Sequence, residues 1–403
     1  MQITALTTLR LGTFPNLCYV LVETDEGLLG LGETFFSPRS VSAWLHETAA
    51  PYLLGKDPLD IERHSQALRG FVGFSGTGVE TRGRSAVDLA LWDLLGKAAG
   101  LPVYRLLGGL CRGRARLYNT CAGPTYVRSL PETPDLPTSN WVGAEEQQSP
   151  SRYGDLQAFL TDAGELAKDL LAEGITAMKI WPFDAFAEAS GGEHISAAEL
   201  REGLVPFVKV REAVGQDMEL MVELHSKWNL PSAIKIARAL EELEPTWFED
   251  PLRADCLPAL AEFSSATHVP TASSETLATA VSFRELIESG GVGVVIFDPA
   301  WAGGISEARK IIAFAETRHL PAAAHDCAGP VNFAAGVHLT VSCSNAFFQE
   351  GVRAFYRGWY RELVTELPAI EDGFVAPLQG PGLGTALRPE VFNRDDAVVE
   401  TSR

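Results

Sequence analysis

The chain has 403 residues, 46% hydrophobic and 21% charged, which bounds it to a globular protein of about two to three domains or one large barrel with an addition. A net charge of −19 argues against a nucleic-acid partner, since phosphate binding needs clustered Lys and Arg, but leaves a small-molecule partner open. The six cysteines form no CxxC pair, no apolar run approaches the ~18 residues that span a bilayer, and the opening "MQITALTTLRLGTFP" lacks a signal-peptide pattern, so a cytoplasmic protein with reduced thiols and no membrane partner is expected.

In chain order, "QITALTTLRL" and "LCYVLVETDEGLLGLGETF" alternate as strands, with Asp25-Glu26-Gly27 as a turn. "RSAVDLALWDLLGKAAG" reads as a helix capped by Ser85, lined on one face by Val87, Leu91, Leu94 and Leu95, and ended by Gly100 before Pro102. "GFVGFSGTGVE" (70–80) reads as a Gly-rich loop. From about 115 short apolar runs alternate with amphipathic helices: "ARLYNT", "AMKIWP", "MELMVELH", "TWFEDP", "VPTASSE", "VVIFDPA", "PAAAHD" and "NAFFQE". Strands joined by crossover helices predict an α/β chain folded as a parallel (β/α)8 barrel. The Pro/Ser-rich stretch 128–155 interrupts it as a long loop. The division expected is an α+β domain over 1–115, a barrel over 116–354, and a C-terminal segment over 355–403 that returns to the N-terminal part.

Polar residues end the predicted barrel strands: Lys179, Glu223 with His225, Glu249, Glu275, Asp298, His325 and Glu350. From Glu223 onward the gaps are 26, 26, 23, 27 and 25 residues, one βα unit each. That spacing puts them on one rim, the C-terminal face where barrel sites form. Alternation pairs Lys179 with Trp181, Glu275 with Ser273 and His325 with Ala323 as inward residues. Three carboxylates on consecutive strands (Glu223, Glu249, Glu275) would repel one another unless a hard cation joined them, and Mg²⁺ takes such oxygen ligands while leaving positions for substrate. Asp298 beside His325 would fix the imidazole tautomer and make a general base. In the third run, Glu223 and His225 stand two residues apart, both inward and about 7 Å apart on a strand, which puts an imidazole one layer above a metal-ligating carboxylate.

These residues carry a resemblance. "RSAVDLALWDLLGKAAGLPVYRLLGG", "WFEDP", "ASSE", "FDPAWAGGISEARKI" and "FFQE" together resemble the enolase superfamily, mandelate racemase subgroup, over essentially the whole length. The resemblance implies a modified TIM-type barrel with an N-terminal capping domain completed by the C-terminal tail. It implies Mg²⁺ held by Glu223, Glu249 and Glu275, a His325–Asp298 base, Glu350 near the substrate carboxylate, and a homo-oligomer. It also implies abstraction of a proton α to a carboxylate, giving an enediolate that Mg²⁺ and a cation such as Lys179 stabilise.

Racemases of the subgroup end the second barrel strand with Lys-x-Lys, whereas this chain has Lys179-Ile180-Trp181. The second base is replaced by an indole expected to pack against the substrate. His225 resembles the histidine that the galactonate and mannonate dehydratases carry two residues after their first metal ligand, a ligand commonly Asp where this chain has Glu223. The expected function is dehydration of a sugar acid, aldonate or aldarate, to a 2-keto-3-deoxy acid. In it His325 removes the α-proton and His225 protonates the departing 3-hydroxyl. The alternatives are an epimerase, racemase or cycloisomerase of the same fold, or a non-catalytic metal-binding regulatory barrel. Substrate choice is expected from loops near Phe14–Asn16, Phe35–Arg39 and Gly70–Gly78, with Arg39 or Arg82 placed to meet the second carboxylate of an aldarate.

Overall fold

A computed structural model describes residues 1–70, 76–126 and 152–403. Most of the loop expected at 128–155, and the centre of the Gly-rich stretch, lie outside the described residues.

Strands β1 (Ile3–Leu11), β2 (Phe14–Thr24) and β3 (Leu29–Phe35) form an antiparallel sheet, and Gly27, at φ 77°, makes the turn that the sequence marks. The barrel strands are β4 (Ala115–Thr120), β5 (Ala177–Ile180), β6 (Glu219–Glu223), β7 (Trp247–Glu249), β8 (Thr271–Ser273), β9 (Val294–Phe297), β10 (Ala322–Ala324) and β11 (Ala346–Gly351). They pair in parallel in chain order, and β11 returns to β4 to close the barrel. Each lies within a predicted apolar run, and each is shorter than its run except β4, which fills it, and β11, which passes it by a residue. In the C-terminal segment, β12 (Ala369–Glu371) and β13 (Phe374–Ala376) form a hairpin that pairs with β4 of the barrel. Only β14 (Ala397–Ser402) joins the N-terminal sheet, antiparallel to β1.

Barrel closure is fastened from inside the chain. The buried Arg353, just after β11, reaches Asp155 at 2.7 Å and Asp169 at 2.6 Å, while its backbone N–H donates to Asn119 of β4. Three elements that meet at the closing seam are thereby held by one paired cation, the condition under which a buried charge is tolerated. Inside, Tyr118, Ala177, Met221, Trp247, Ala272, Val294, Ile296 and Ala323 fill the barrel below the rim. This apolar plug gives the polar layer above it a dry floor.

The helix Val79–Ala99 starts two turns before the expected cap. Ser85 is interior: its hydroxyl donates to Thr81 O and accepts from Gly303 N. The helix is buried nearly all round because it is wedged between the N-terminal sheet and the barrel, so one apolar face does not describe it. Gly100 ends it at φ 67°, as its position before Pro102 indicates. The sheet meets this helix at Gly32, where a Cβ would lie 1.8 Å from Ala86 O. Only glycine permits that approach.

His338, in the helix Pro330–Ser342, stacks on Tyr104 and hydrogen bonds Leu383 O at 3.2 Å. Burial pushes its imidazole down to about 4. The folded value lies below that of the unfolded chain, about 6.5, so only the unfolded state takes up a proton between the two. Stability is therefore expected to fall by about 3 kcal/mol as pH drops from about 6.5 to 4, in addition to any carboxylate contribution. Urea unfolding of His338→Gln across that range should show a shallower loss than the parent.

Candidate active site

Inward residues of the plug predict which side chains rise above it. Ala177 is inward, so Lys179 is too; Met221 and Trp247 likewise direct Glu223 and Glu249 inward. Glu223 and Glu249 are direct partners in the β6–β7 register. The buried Lys179 ammonium stands among them, 3.2 Å from Glu223 and 3.0 Å from Glu350, and hydrogen bonds Glu249. Burial opposes its charge, but Glu249 and Glu350 outweigh burial and hold the ammonium well above its ordinary range. Trp247, from the plug, donates its indole N–H to the other oxygen of Glu249 at 2.8 Å.

Glu275 reaches the site by a different route. It was expected to share an inward face with Ser273, but Ala272 is the inward residue, and Ser273 donates to Asp250 at 2.7 Å. Strand β8 ends at Ser273, so strand alternation does not govern Glu275. Its Oε2 is buried and has no hydrogen-bond partner among the described residues. Burial first, and then Asp250 and neighbouring glutamates, push the carboxyls of Glu223 and Glu275 well above the usual range.

Glu223, Glu249 and Glu275 lie close enough that Glu223 and Glu249 act electrostatically on Glu275. Among the described residues, no group of three or more His, Cys, Asp or Glu side chains is gathered at cation distance, and the Lys179 ammonium lies against Glu223 and Glu249. The donor set nevertheless fits a hard divalent cation. Its ligands would all be carboxylate oxygens, one of them is orphaned, and one ammonium does not balance Glu223, Glu249, Asp250 and Glu275.

Two histidines face the site from opposite sides. His225 follows β6 and His325 follows β10, four strands apart around an eight-stranded barrel. His325 Nδ1 lies 2.6 Å from Asp298, which also accepts from Asn332 Nδ2 at 3.1 Å and Ala300 N at 2.7 Å. Burial disfavours its charged form, but Glu350 and the hydrogen bond to Asp298 together raise the imidazole above its ordinary value. Asn332 is placed in turn by Glu33 of β3, whose carboxylate accepts from the backbone N–H groups of Val331 and Asn332 at 3.2 and 3.1 Å.

His225 is not on the strand, as expected, but one residue beyond its neighbour Leu224, in the left-handed region at φ 49°. That conformation lets its backbone N–H donate to Glu223 at 2.7 Å and turns its ring toward β5. There Nδ1 meets Asp184 at 2.8 Å, Nε2 lies 3.4 Å from the Tyr126 hydroxyl, and Asp184 also accepts from Lys227 at 2.8 Å. Trp181 packs edge-on to this ring, between Tyr126 and Phe159.

Thr120, Tyr126, Lys179, Glu223, His225, Glu275, His325, Cys327 and Glu350 enclose a central cavity of about 10 Å³. Trp181 does not border it; the indole supports His225 and Tyr126 instead of facing a substrate. Glu350 does border it, hydrogen bonded by Thr120 and by Asp326 N at 2.9 Å. Arg39 stands exposed beside Arg10 on the N-terminal sheet, away from the cavity. Arg82 donates to Phe35 O at 2.8 Å and lies 4.8 Å over Trp301, so it too is outside the lining.

Sequence reasoning missed Asp184, Tyr126, Asn332 and Trp247. Asp184 left a signal, a carboxylate just past the end of β5, beside the strand that His225 follows. Asn332 left none, because its role depends on a helix turning back over β9.

The charge cluster has a direct consequence. Replacing Lys179 by Met leaves Glu223, Glu249 and Glu350 buried without their cation, so the metal-free protein should lose about 3–5 kcal/mol of stability, measured by chemical unfolding.

Residues 4–108 match the family model of the mandelate racemase / muconate lactonizing enzyme N-terminal domain, and 162–391 match the enolase C-terminal domain-like model. A D-galactonate dehydratase of Ralstonia nicotianae is 31% identical, with 100% of this chain and 95% of that protein covered. A D-galactonate dehydratase of Verminephrobacter eiseniae is also 31% identical, covering 96% and 92%. An enolase of the mandelate racemase subgroup from Agrobacterium tumefaciens superposes with a TM-score of 0.87 at 43% identity, covering 100% and 99% of the two chains. The chain belongs to the enolase superfamily, in its mandelate racemase and muconate lactonizing group, and within it to the hydro-lyases.

Proposed function

We propose that the enzyme dehydrates a sugar acid, an aldonate or aldarate, to the 2-keto-3-deoxy acid. The observation that carries this reading is the pair of carboxylate-bound imidazoles, His325–Asp298 and His225–Asp184, facing one cavity from opposite staves of the barrel. Galactonate dehydratases among the relatives support the substrate class.

Asp298 accepts the Nδ1 proton of His325, leaving Nε2 to take the proton α to the substrate carboxylate. Lys179 borders the same cavity and offers positive charge as the enediolate forms. His225 then gives a proton to the departing 3-hydroxyl, and the enol tautomerises to the keto acid. With base and acid on opposite sides of the substrate, the elimination is anti. Glu223, Glu249 and Glu275 would hold Mg²⁺, which when bound supplies the charge that makes the α-proton removable by an imidazole.

The two imidazoles also favour a second reading. Trp181 removes the usual second base, yet His225 with its own carboxylate could serve as one, and two opposed bases epimerise. Asp184 argues for the acid role, since it is shared by direct hydrogen bonds between His225 and the Lys227 ammonium, whereas among the described residues the other direct hydrogen-bond donors to Asp298, Ala300 N and Asn332 Nδ2, are neutral and the nearest cation, Arg82, acts on it only at longer range.

Proton NMR in D₂O over a library of aldonic and aldaric acids separates these readings. The parent enzyme should give keto product, His325→Asn should lose α-proton exchange by at least about a thousandfold, and His225→Asn should retain exchange while losing elimination. Inverted starting material without keto product would establish epimerisation, and turnover confined to non-sugar acids would overturn the sugar-acid reading.

Metal dependence has its own readout. Thermal unfolding should shift upward on adding Mg²⁺ to chelator-treated protein, and Glu275→Gln should weaken that binding at least about tenfold.

A further inference from the structure

A second cavity, of about 330 Å³, opens beside the central one and shares His225 and Glu275 with it. Its size is within the range of small-molecule sites. A substrate held at C1 to C3 between His225 and His325 would send its remaining carbons this way. We propose that this cavity receives the neutral, hydroxylated tail of an aldonate and turns away the second carboxylate of an aldarate. This inference rests on the sugar-acid dehydratase reading and names its substrate class.

The lining explains the choice. Thr77, from the segment leading into the Val79–Ala99 helix, faces Ser226 and Thr276 of the barrel loops across the cavity. Their oxygens, with Asp255, accept hydrogen bonds from substrate hydroxyls. Among the described lining residues the one arginine is Arg253, and it is already bound by Asp255 through Nε at 2.9 Å and Nη2 at 2.6 Å. Asp250 lies below, its carboxylate bonded by Ser226, Ser273 and Ser274. A second substrate carboxylate would therefore meet Asp250 and Asp255, and among the described lining residues the one arginine is already paired with Asp255, while a terminal hydroxymethyl group meets acceptors. The two arginines that could have reversed this, Arg39 and Arg82, do not line the cavity.

The test uses full-length His325→Asn protein with Mg²⁺, in which substrates bind without turning over. Calorimetric titration compares a panel of six-carbon aldonates with the aldarates of matching configuration. The aldonate of the best pair should bind at least about tenfold more tightly, and adding Asp255→Ala, which releases Arg253 at an exposed position, should narrow the ratio at least about threefold. An aldarate that binds as tightly as its aldonate, or a ratio unmoved by Asp255→Ala, overturns the inference. If the parent enzyme converts aldarates and not aldonates, the dehydratase reading stands and this inference alone falls. If no acid of either class binds or exchanges its α-proton, the dehydratase reading itself falls, and this inference with it.

Discussion

One lysine holds the architecture of the site. Lys179 is surrounded by Glu223, Glu249 and Glu350, all buried, at the top of an apolar plug. A carboxylate cluster of that density is stable only if positive charge stays inside it. Lys179 supplies part, and the unmatched remainder, marked by the raised carboxyls of Glu223 and Glu275 and the orphaned oxygen of Glu275, is what the proposed divalent cation would complete. On that proposal, metal affinity and fold stability would draw on the same unbalanced charge.

The histidines repeat one device with different surroundings. Each imidazole is oriented through Nδ1 by a buried aspartate, which fixes the nitrogen presented to the cavity. Besides His325, the direct hydrogen-bond donors to Asp298 among the described residues are neutral. Asp184 lies between His225 and the Lys227 ammonium. Under the proposed reaction, the same pair of residue types would serve as a proton acceptor on one side and a proton donor on the other, because of what the aspartate's remaining lone pairs touch.

Much of this was legible in the sequence, for a physical reason. A barrel repeats one unit, so a polar residue recurring at intervals of about one βα unit reports the rim directly, and Lys179, Glu223, Glu249, His325 and Glu350 all came to it. What escaped was whatever depends on backbone beyond the strand. Glu275 lies past the last residue of β8, and His225 adopts a left-handed turn that directs its ring toward Asp184, so both border the cavity by a route that strand alternation does not describe. Trp181 was read as facing the substrate because its inward register was visible, while the aromatic neighbours that claim it, Tyr126 and Phe159, come from distant segments. Ser85 looked like a cap because the residues before it are polar. Its helix continues through them because tertiary burial, rather than a local cap, sets where it starts.

The link from Glu33 to the dyad bears on how such enzymes can diversify. Glu33 belongs to the N-terminal sheet, yet it seats the helix end whose Asn332 grips Asp298. The N-terminal domain is therefore also part of the scaffold of the proposed base. A graft that imports another cap to obtain a new substrate range would replace, with the same stroke, the carboxylate on which the catalytic imidazole's alignment depends. The two modules are separate in topology but inherited as one in chemistry.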